Sequence, residues 1–496
     1  MFVFEVGVVG VGGRAEAAAS AVAAAGVPVR RAVGELGAAD FVVVSGVSGL
    51  DQAAELLQEL DEACPGHAIF AIDSCELPLT ELAEATLRPE RVIGFHLGDE
   101  GSQLVEVAPS EHSEREPIGV AVTFAQAIKR QPVVCAESPG LVVTRILDDA
   151  KEIPAGDDAT LVAALGVLEE GLATHRDIDV AMARGAGIAP PPLMAADAEG
   201  LDVVLGRLGD DAPTILRRLV AQGRTGKDAG QGFYPYPRPD AEDEAVVALE
   251  TREDVAIAWL RNGAMNSVSP QLVADLGSAL DRAEAAGVRA LVVASANPFL
   301  FSAGADLKAF KTLDEAAGRR FVEDTHALFR RLGEGPLLTV AAVNGLAFGG
   351  GNELVMSCDL RIAAESALFG QPEIKLGLIP GFGGTQRLPR LVGASTALEL
   401  NLIGDPILAE QAYDDGLVTR LVPDHELFDA ALAWARKLAE QAPVAAARIR
   451  SVSDDADLDA GLTAEIGAFG EILVSEDGRE GVSAFFEKRA PSWKGR

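Results

Sequence analysis

"FGGGNELVMSCDLRIAAESALFGQPEIKLG", residues 348–377, is mostly glycine and apolar side chains, yet it holds Glu353 just after a triple glycine and Glu373 just after Gln-Pro. Carboxylates rarely enter such surroundings unless something pairs with them or uses them. Glycine lets the main chain approach a ligand closely, and a helix beginning at a glycine turn presents unpaired N–H groups. A second turn of this kind, "LFSAGADLKAF" (300–310), also follows an apolar strand-like stretch. Two such turns converging would give a pair of donors for a carbonyl oxygen that gains negative charge. Glu353 would then lie on the first turn of a helix beside that oxygen, with Glu373 facing it. Two carboxylates near one polarised carbonyl suit general acid/base chemistry on the carbons next to it. Spacing alone leaves another arrangement equally open, with Glu353 capping its own helix and Glu373 paired with an arginine such as Arg387.

Around this stretch, "VAIAWL", "ALVVASA", "LLTVAAVNG" and "LRIAAESALFG" read as strands with helices between them, and the last hundred or so residues are helix-rich. The proline- and acid-rich "PYPRPDAEDEA" (235–245) is the clearest linker. Upstream, "VFEVGVVGVGG" (3–13) reads as a strand breaking into a glycine turn, followed by a helix ending at Gly26. "FVVVSG", "HAIFAID" and "RVIGFHL" add strands separated by helical stretches, which predicts a parallel sheet. "APSEHSEREP" (108–117) reads as a hinge, and residues 118 to about 234 read as helical. The predicted organisation is therefore an α/β multidomain chain: 1–110, a parallel-sheet domain; 111–235, helical; 236–248, a linker; and 249–496, a second α/β domain. No repeat of solenoid period is present.

The chain has 496 residues, enough for two to four domains, and 48% of them are hydrophobic. No apolar run is long enough to span a membrane, and the start, "MFVFEVGVVG", lacks the basic region of a signal peptide. Cys64, Cys75, Cys135 and Cys358 show no metal-ligand spacing and read as free thiols of a cytoplasmic protein; no metal site is expected. Acids outnumber bases 75 to 42, a formal net charge of −33, and they are spread along the chain. Such a field disfavours nucleic acid and anionic lipid as partners. Only nine of the 42 bases are lysine. An acid-rich, lysine-poor surface points to a salt-accumulating halophile, where salt screens the self-repulsion; a GC-rich genome would explain the few lysines but not the excess acid.

"FSAGADLKAF", "AAVNGLAFGGGNELVMSCDLRIA", "FGQPEIKLGLIPGFGGTQRLPRLVG" and "EGVSAFFEKRAPSWKG" occur in this order and closely resemble the enoyl-CoA hydratase (crotonase) family over roughly residues 250–496. The resemblance implies a ββα spiral fold, a homo-oligomer (a trimer or a hexamer of two trimers), and an acyl-CoA thioester as substrate. It assigns Ala305 and Gly350 as the oxyanion-hole N–H groups and Glu353 and Glu373 as the catalytic acids. In the family the two carboxylates hold a water and add it across the 2,3 double bond. The residue at the position of Glu353 chiefly activates the water, and that at Glu373 gives a proton to C2. Relatives with other activities commonly keep one acid, so the presence of both favours hydration of a short- or medium-chain enoyl-CoA, with no cofactor.

Residues 3–235 resemble 3-hydroxyacyl-CoA dehydrogenase through "GVVGVGGRA", "PERVIGFHL", "SPGLVVTRIL", "EEGLATHRDIDVAMARGAG" and "GRTGKDAGQGFYPY". This implies a Rossmann domain followed by an all-α domain, with Gly10, Gly12 and Ala15 at the NAD turn and a His96–Glu106 catalytic pair. The family's serine falls on Cys75, its asparagine on Thr144, and its "FFNP" has become "LGDE". Where the family has an acidic residue that grips the adenosine ribose, this chain has Arg30 and Arg31, and the long excursion that follows is missing. Arginine cannot accept a hydrogen bond from a ribose diol; it would suit a 2′-phosphate, which leaves NADPH as the alternative to no cofactor. These departures point to an inactive dehydrogenase retained as a scaffold. The competing readings are a bifunctional hydratase/dehydrogenase using NAD(P) and a non-catalytic CoA-binding assembly subunit.

Overall fold

The computed structural model describes residues 5–98, 101–238, 240–243, 245–311, 314–453 and 457–496. They form two compact units, Met1–Tyr236 and Pro237–Arg496.

In the first unit, β1 (Val6–Gly10), β2 (Val29–Arg30), β3 (Phe41–Ser45), β4 (Ile69–Asp73), β5 (Val92–His96), β6 (Leu104–Pro109) and β7 (Gln131–Val134) form one sheet in the order β2-β1-β3-β4-β5-β6-β7. Strands such as "FVVVS" are buried along their whole length, as a parallel sheet covered on both faces requires. β2 lies on one side of β1 and β3 on the other, so the strand order reverses at β1, the place where doubly wound sheets bind ligands. Gly10 ends β1 with φ of +125°, and a Cβ there would lie 1.7 Å from the Ser45 carbonyl oxygen. β2 has only two residues, and the chain returns to β3 through the short turn Val33–Glu35.

The sheet differs from the predicted one in two respects. β6 runs antiparallel to β5, because the connection between them is too short for a crossover. β7, "QPVV", pairs parallel with β6, so the sheet extends past the boundary expected at residue 110 and into the segment read as helical. Pro132 disguises that strand, but β7 is an edge strand, where proline is tolerated. Helices Val143–Glu152, Ala159–Glu169, His175–Arg184, Pro192–Glu199, Leu201–Leu208 and Thr214–Ala221 complete the unit. Its tail is pinned by the buried Asp197 carboxylate, which accepts from the N–H groups of Phe233 and Tyr234 and from the Tyr236 hydroxyl at 2.8–3.0 Å. Tyr236 thus belongs to the first unit, and strand Val247–Arg252 of the second begins inside the expected 236–248 linker.

The second unit repeats one path three times. Strands Ala290–Ser295, Leu338–Val343 and Leu360–Ala364 enter a seven-stranded sheet, and Leu300–Ser302, Leu346–Phe348 and Leu368–Gly370 then enter a four-stranded one. After the first and second short strands the chain turns into a helix, giving the expected ββα spiral. One face of the large sheet packs with Leu272, Leu276, Phe329 and Phe382, and the other with Trp259, Phe428 and Leu432. The helical end leaves Leu458, Ile466, Phe469, Phe485 and Phe486 exposed. Among the described residues, no helix is long and apolar enough to cross a membrane.

Candidate functional site

The spiral brings the two glycine turns together. Gly349 caps helix Gly350–Met356 in a conformation (φ 49°, ψ −123°) that side chains avoid, and helix formation leaves the Gly350 N–H without an intrahelical acceptor. Ala305 follows strand Leu300–Ser302; its neighbours bond to Val268, the Asp306 N–H donating to the Val268 carbonyl and the Val268 N–H to the Gly304 carbonyl. No described residue accepts from the N–H of Ala305 or of Gly350. The two are neighbours, since a Cβ on Gly350 would lie 3.3 Å from the Ala305 nitrogen and 2.8 Å from the Phe382 ring.

Glu353, on the first turn of that helix, is 1% exposed. It does not cap its own helix. Its Oε1 accepts from the main-chain N–H groups of Phe382 (2.8 Å) and Gly384 (2.6 Å), in the turn that starts helix Gly384–Val392. Burial pushes its carboxyl up to about 8, with a further push from the neighbouring Glu373; the two N–H groups and Arg387 pull the other way.

Glu373 sits in the short 3-10 turn Pro372–Leu376 and reaches back over the glycine turn, where a Cβ on Gly349 would lie 2.6 Å from its Oε1. Its buried Oε2 has no hydrogen-bond partner among the described residues, and burial raises its pKa as well. It is not paired with Arg387, which donates instead to the Phe382 carbonyl (3.1 Å). Two carboxylates, Glu353 buried and Glu373 partly so, each with its pKa raised by desolvation, therefore flank two main-chain donors unengaged among the described residues. Such a set can polarise a carbonyl and move protons on either side of the carbons next to it.

In the first unit, Gly10 and Gly12 turn the chain into helix Gly12–Ala24, with Ala15 buried at its start. His96 and Glu106 are cross-strand partners in register. No hydrogen bond joins their side chains among the described residues. Glu106 Oε1 accepts from the N–H groups of Val142 and Val143 at 2.8 and 3.1 Å, while His96 Nδ1 lies 2.9 Å from Arg14 Nη2 and 3.5 Å from Asp73 Oδ1. Burial pushes Asp73 up, but hydrogen bonds from His96 and Ser45 and the charge of Arg14 outweigh it, so its pKa is lowered. Burial raises the pKa of Cys75, and the neighbouring Thr144 pulls it the other way. Arg14 thus lies across the carboxyl ends of β4 and β5, beside Ser45 at the end of β3. Arg31 is bound by both nitrogens to Glu16, and Arg30 lies 3.5 Å from Glu5. Val3 and Phe4 of the first predicted strand and Asp99 and Glu100 of "LGDE" lie outside the described residues.

The model of the family described as enoyl-CoA hydratase/isomerase matches residues 250–496. Over 255 residues the chain is 41% identical to "Probable enoyl-CoA hydratase" of Bacillus subtilis, covering 50% of this chain and 98% of that protein. The chain belongs to the enoyl-CoA hydratase/isomerase family. "Short-chain-enoyl-CoA hydratase" of Clostridium acetobutylicum is 39% identical over 248 residues, which are 49% of this chain and 95% of that one. "Crotonyl-CoA hydratase" of Syntrophomonas wolfei is 36% identical, with the same two shares covered. The first half matches two further models, the NAD-binding domain of 3-hydroxyacyl-CoA dehydrogenase (residues 13–138) and the C-terminal domain of that enzyme (residues 159–236). The chain is thus a fusion of a dehydrogenase-type half with an enoyl-CoA hydratase/isomerase half.

Within this hydratase/isomerase unit, sequence reasoning assigned no role to Phe382 or Gly384, whose N–H groups hold Glu353. The signal was present in "PGFGGTQR", a glycine turn ahead of a helix, the same device that marked positions 305 and 350. In the dehydrogenase-type half it missed Arg14 and Asp73. Arg14 stands on the first turn of helix Gly12–Ala24, just past the glycine turn.

Proposed function

We propose that the chain is an enoyl-CoA hydratase that adds water across the 2,3 double bond of a short- or medium-chain enoyl-CoA. The thioester oxygen accepts from the N–H groups of Ala305 and Gly350, which draws electrons from C3. Glu353 takes a proton from a water molecule as its oxygen bonds to C3. Glu373 gives a proton to C2, and the enolate charge that develops meets the two waiting donors. The proton on Glu353 then returns the pair to its starting state. The observation that carries this reading is the Glu353/Glu373 pair beside two main-chain N–H groups with no acceptor among the described residues. Hydration on these residues draws on no cofactor.

We infer further that the dehydrogenase-type half does not oxidise the product. Its residues do not fit a nicotinamide dinucleotide: the Arg14 side chain crosses the carboxyl ends of the strands and lies 2.9 Å from His96, and arginines stand where an acid would grip the ribose. The exposed apolar side chains of helix Leu458–Val474 support a homo-oligomer, a trimer or hexamer. Four unpaired cysteines fit a reducing cytoplasm, and the acid-rich, lysine-poor composition fits a salt-accumulating cell.

The test is loss of the crotonyl-CoA chromophore on the purified full chain in KCl, with and without NAD⁺ or NADP⁺. Glu353→Gln or Glu373→Gln should each lower hydration by roughly 10²–10⁴-fold with an unchanged circular dichroism spectrum. Near-normal turnover in either variant would overturn the assignment. Reduction of either nucleotide with 3-hydroxybutyryl-CoA would establish the bifunctional reading instead.

A further inference from the structure

Glu353 has to lose a proton to activate water, yet almost everything around it opposes the charge. It is buried, it has Glu373 as a like-charged neighbour, and only two main-chain N–H groups touch it. One cation pulls against this for Glu353: Arg387, on helix Gly384–Val392. It is half-buried, and no carboxylate among the described residues forms an ion pair with it. Its Nη1 donates to the Phe382 carbonyl at 3.1 Å, while the Phe382 N–H holds Glu353. The guanidinium also fills the space over Gly383 (φ +116°), where a Cβ would lie 2.1 Å from Nη1. One side chain therefore braces the turn that orients Glu353 and supplies the positive charge the turn lacks. The other charged or titratable groups around Arg387 are Glu334 and Arg330, which lie 3.7 Å apart on helix Glu315–Glu334, and the buried thiol of Cys358.

We propose that Arg387 is a positioning residue for hydration: it clamps the Phe382–Gly384 turn onto Glu353 and holds that carboxylate ionisable beside Glu373. This rests on Glu353 being the group that activates water. The burial cost that desolvation imposes on Arg387 itself, which lowers its pKa, is what a side chain kept for its charge is expected to bear.

The experiment is the pH dependence of crotonyl-CoA hydration by the full chain and by Arg387→Met and Arg387→Lys, with kcat and KM measured separately. Without the cation Glu353 binds its proton more tightly, so the acid limb of kcat moves to higher pH in Arg387→Met. At neutral pH kcat falls by about tenfold or more, while KM stays within about twofold. Arg387→Lys keeps the charge without the fork; its limb stays near the wild-type position while kcat falls. Guanidinium ion should recover part of the activity of Arg387→Met. A kcat that drops at every pH with no movement of the limb in either variant would make Arg387 merely structural and overturn the proposal, as would unchanged kinetics. If Arg387→Met does not fold, a shifted limb in Arg387→Lys also overturns it. Failure of the hydratase reading is distinct, since wild type would then show no crotonyl-CoA turnover at all.

Discussion

At the scale of single residues, the energetics of Glu353 run against stability. Its carboxyl binds a proton more tightly in the folded chain, up to about 8, than in the unfolded one. Stability is therefore fullest below the ordinary carboxylate range and declines as pH rises toward 8, because the folded state must either keep the proton or bury the charge. Glu353→Gln removes that titration while keeping an oxygen to accept from Phe382 and Gly384. Its melting temperature should match the wild type near pH 5 and exceed it by several degrees near pH 9, on the order of a few kcal/mol. A difference that does not change with pH would show that the carboxyl is not held in its neutral form by burial. The two glutamates were legible in the sequence because acids amid glycine and apolar residues are anomalous. Their partners were not, because a main-chain N–H carries no letter. Which of Phe382, Gly383 or Gly384 would turn its amide toward Glu353 depends on backbone angles that tertiary packing fixes.

At the scale of elements, the site depends on turns that admit no side chain. Gly349 is the case that touches a carboxylate of the pair: it has φ of 49°, and any Cβ would stand 2.6 Å from Glu373 Oε1. Gly349→Ala has to strain the cap of helix Gly350–Met356, push Glu373 away, or both. Strain of this kind costs about 1–3 kcal/mol, enough to lower but not abolish stability. The expected result is a folded protein whose kcat falls by about 10²-fold, because a displacement of about 1 Å at the proposed proton donor is felt fully in the chemical step. An alanine variant with wild-type kcat would show that Glu373 does not work from this position. Triple glycine ahead of a helix announced this turn. The short strand Gln131–Val134 was hidden, since proline and a four-residue length mask a strand that only its pairing with Leu104–Pro109 defines. The same limit applies to Arg14: periodicity places it on a helix, but its reach to Asp73 and His96 follows from the sheet order.

At the scale of the whole molecule, charge decides the response to salt. With 75 acids and 42 bases, the excess of 33 carboxylates cannot find a cationic partner even if every base were paired one to one. The ion pairs that do form on the surface, such as Arg207 with Asp158 and Arg489 with Glu480, are exposed or half-exposed, and salt weakens them. Two effects therefore compete as KCl is raised: loss of these pairs, each worth at most about 1 kcal/mol, and relief of repulsion spread over a net charge of −33. The second involves far more groups and should win. The melting temperature is expected to rise by about 10 °C or more between roughly 0.1 and 2 M KCl, with much of the gain at the low end, where the screening length is near 10 Å. Hydratase activity should follow the folded fraction. A melting temperature that stays flat or falls over this range would mean that the unfolded chain relieves its own repulsion no better than the folded one, and that the excess acid is no burden on the fold.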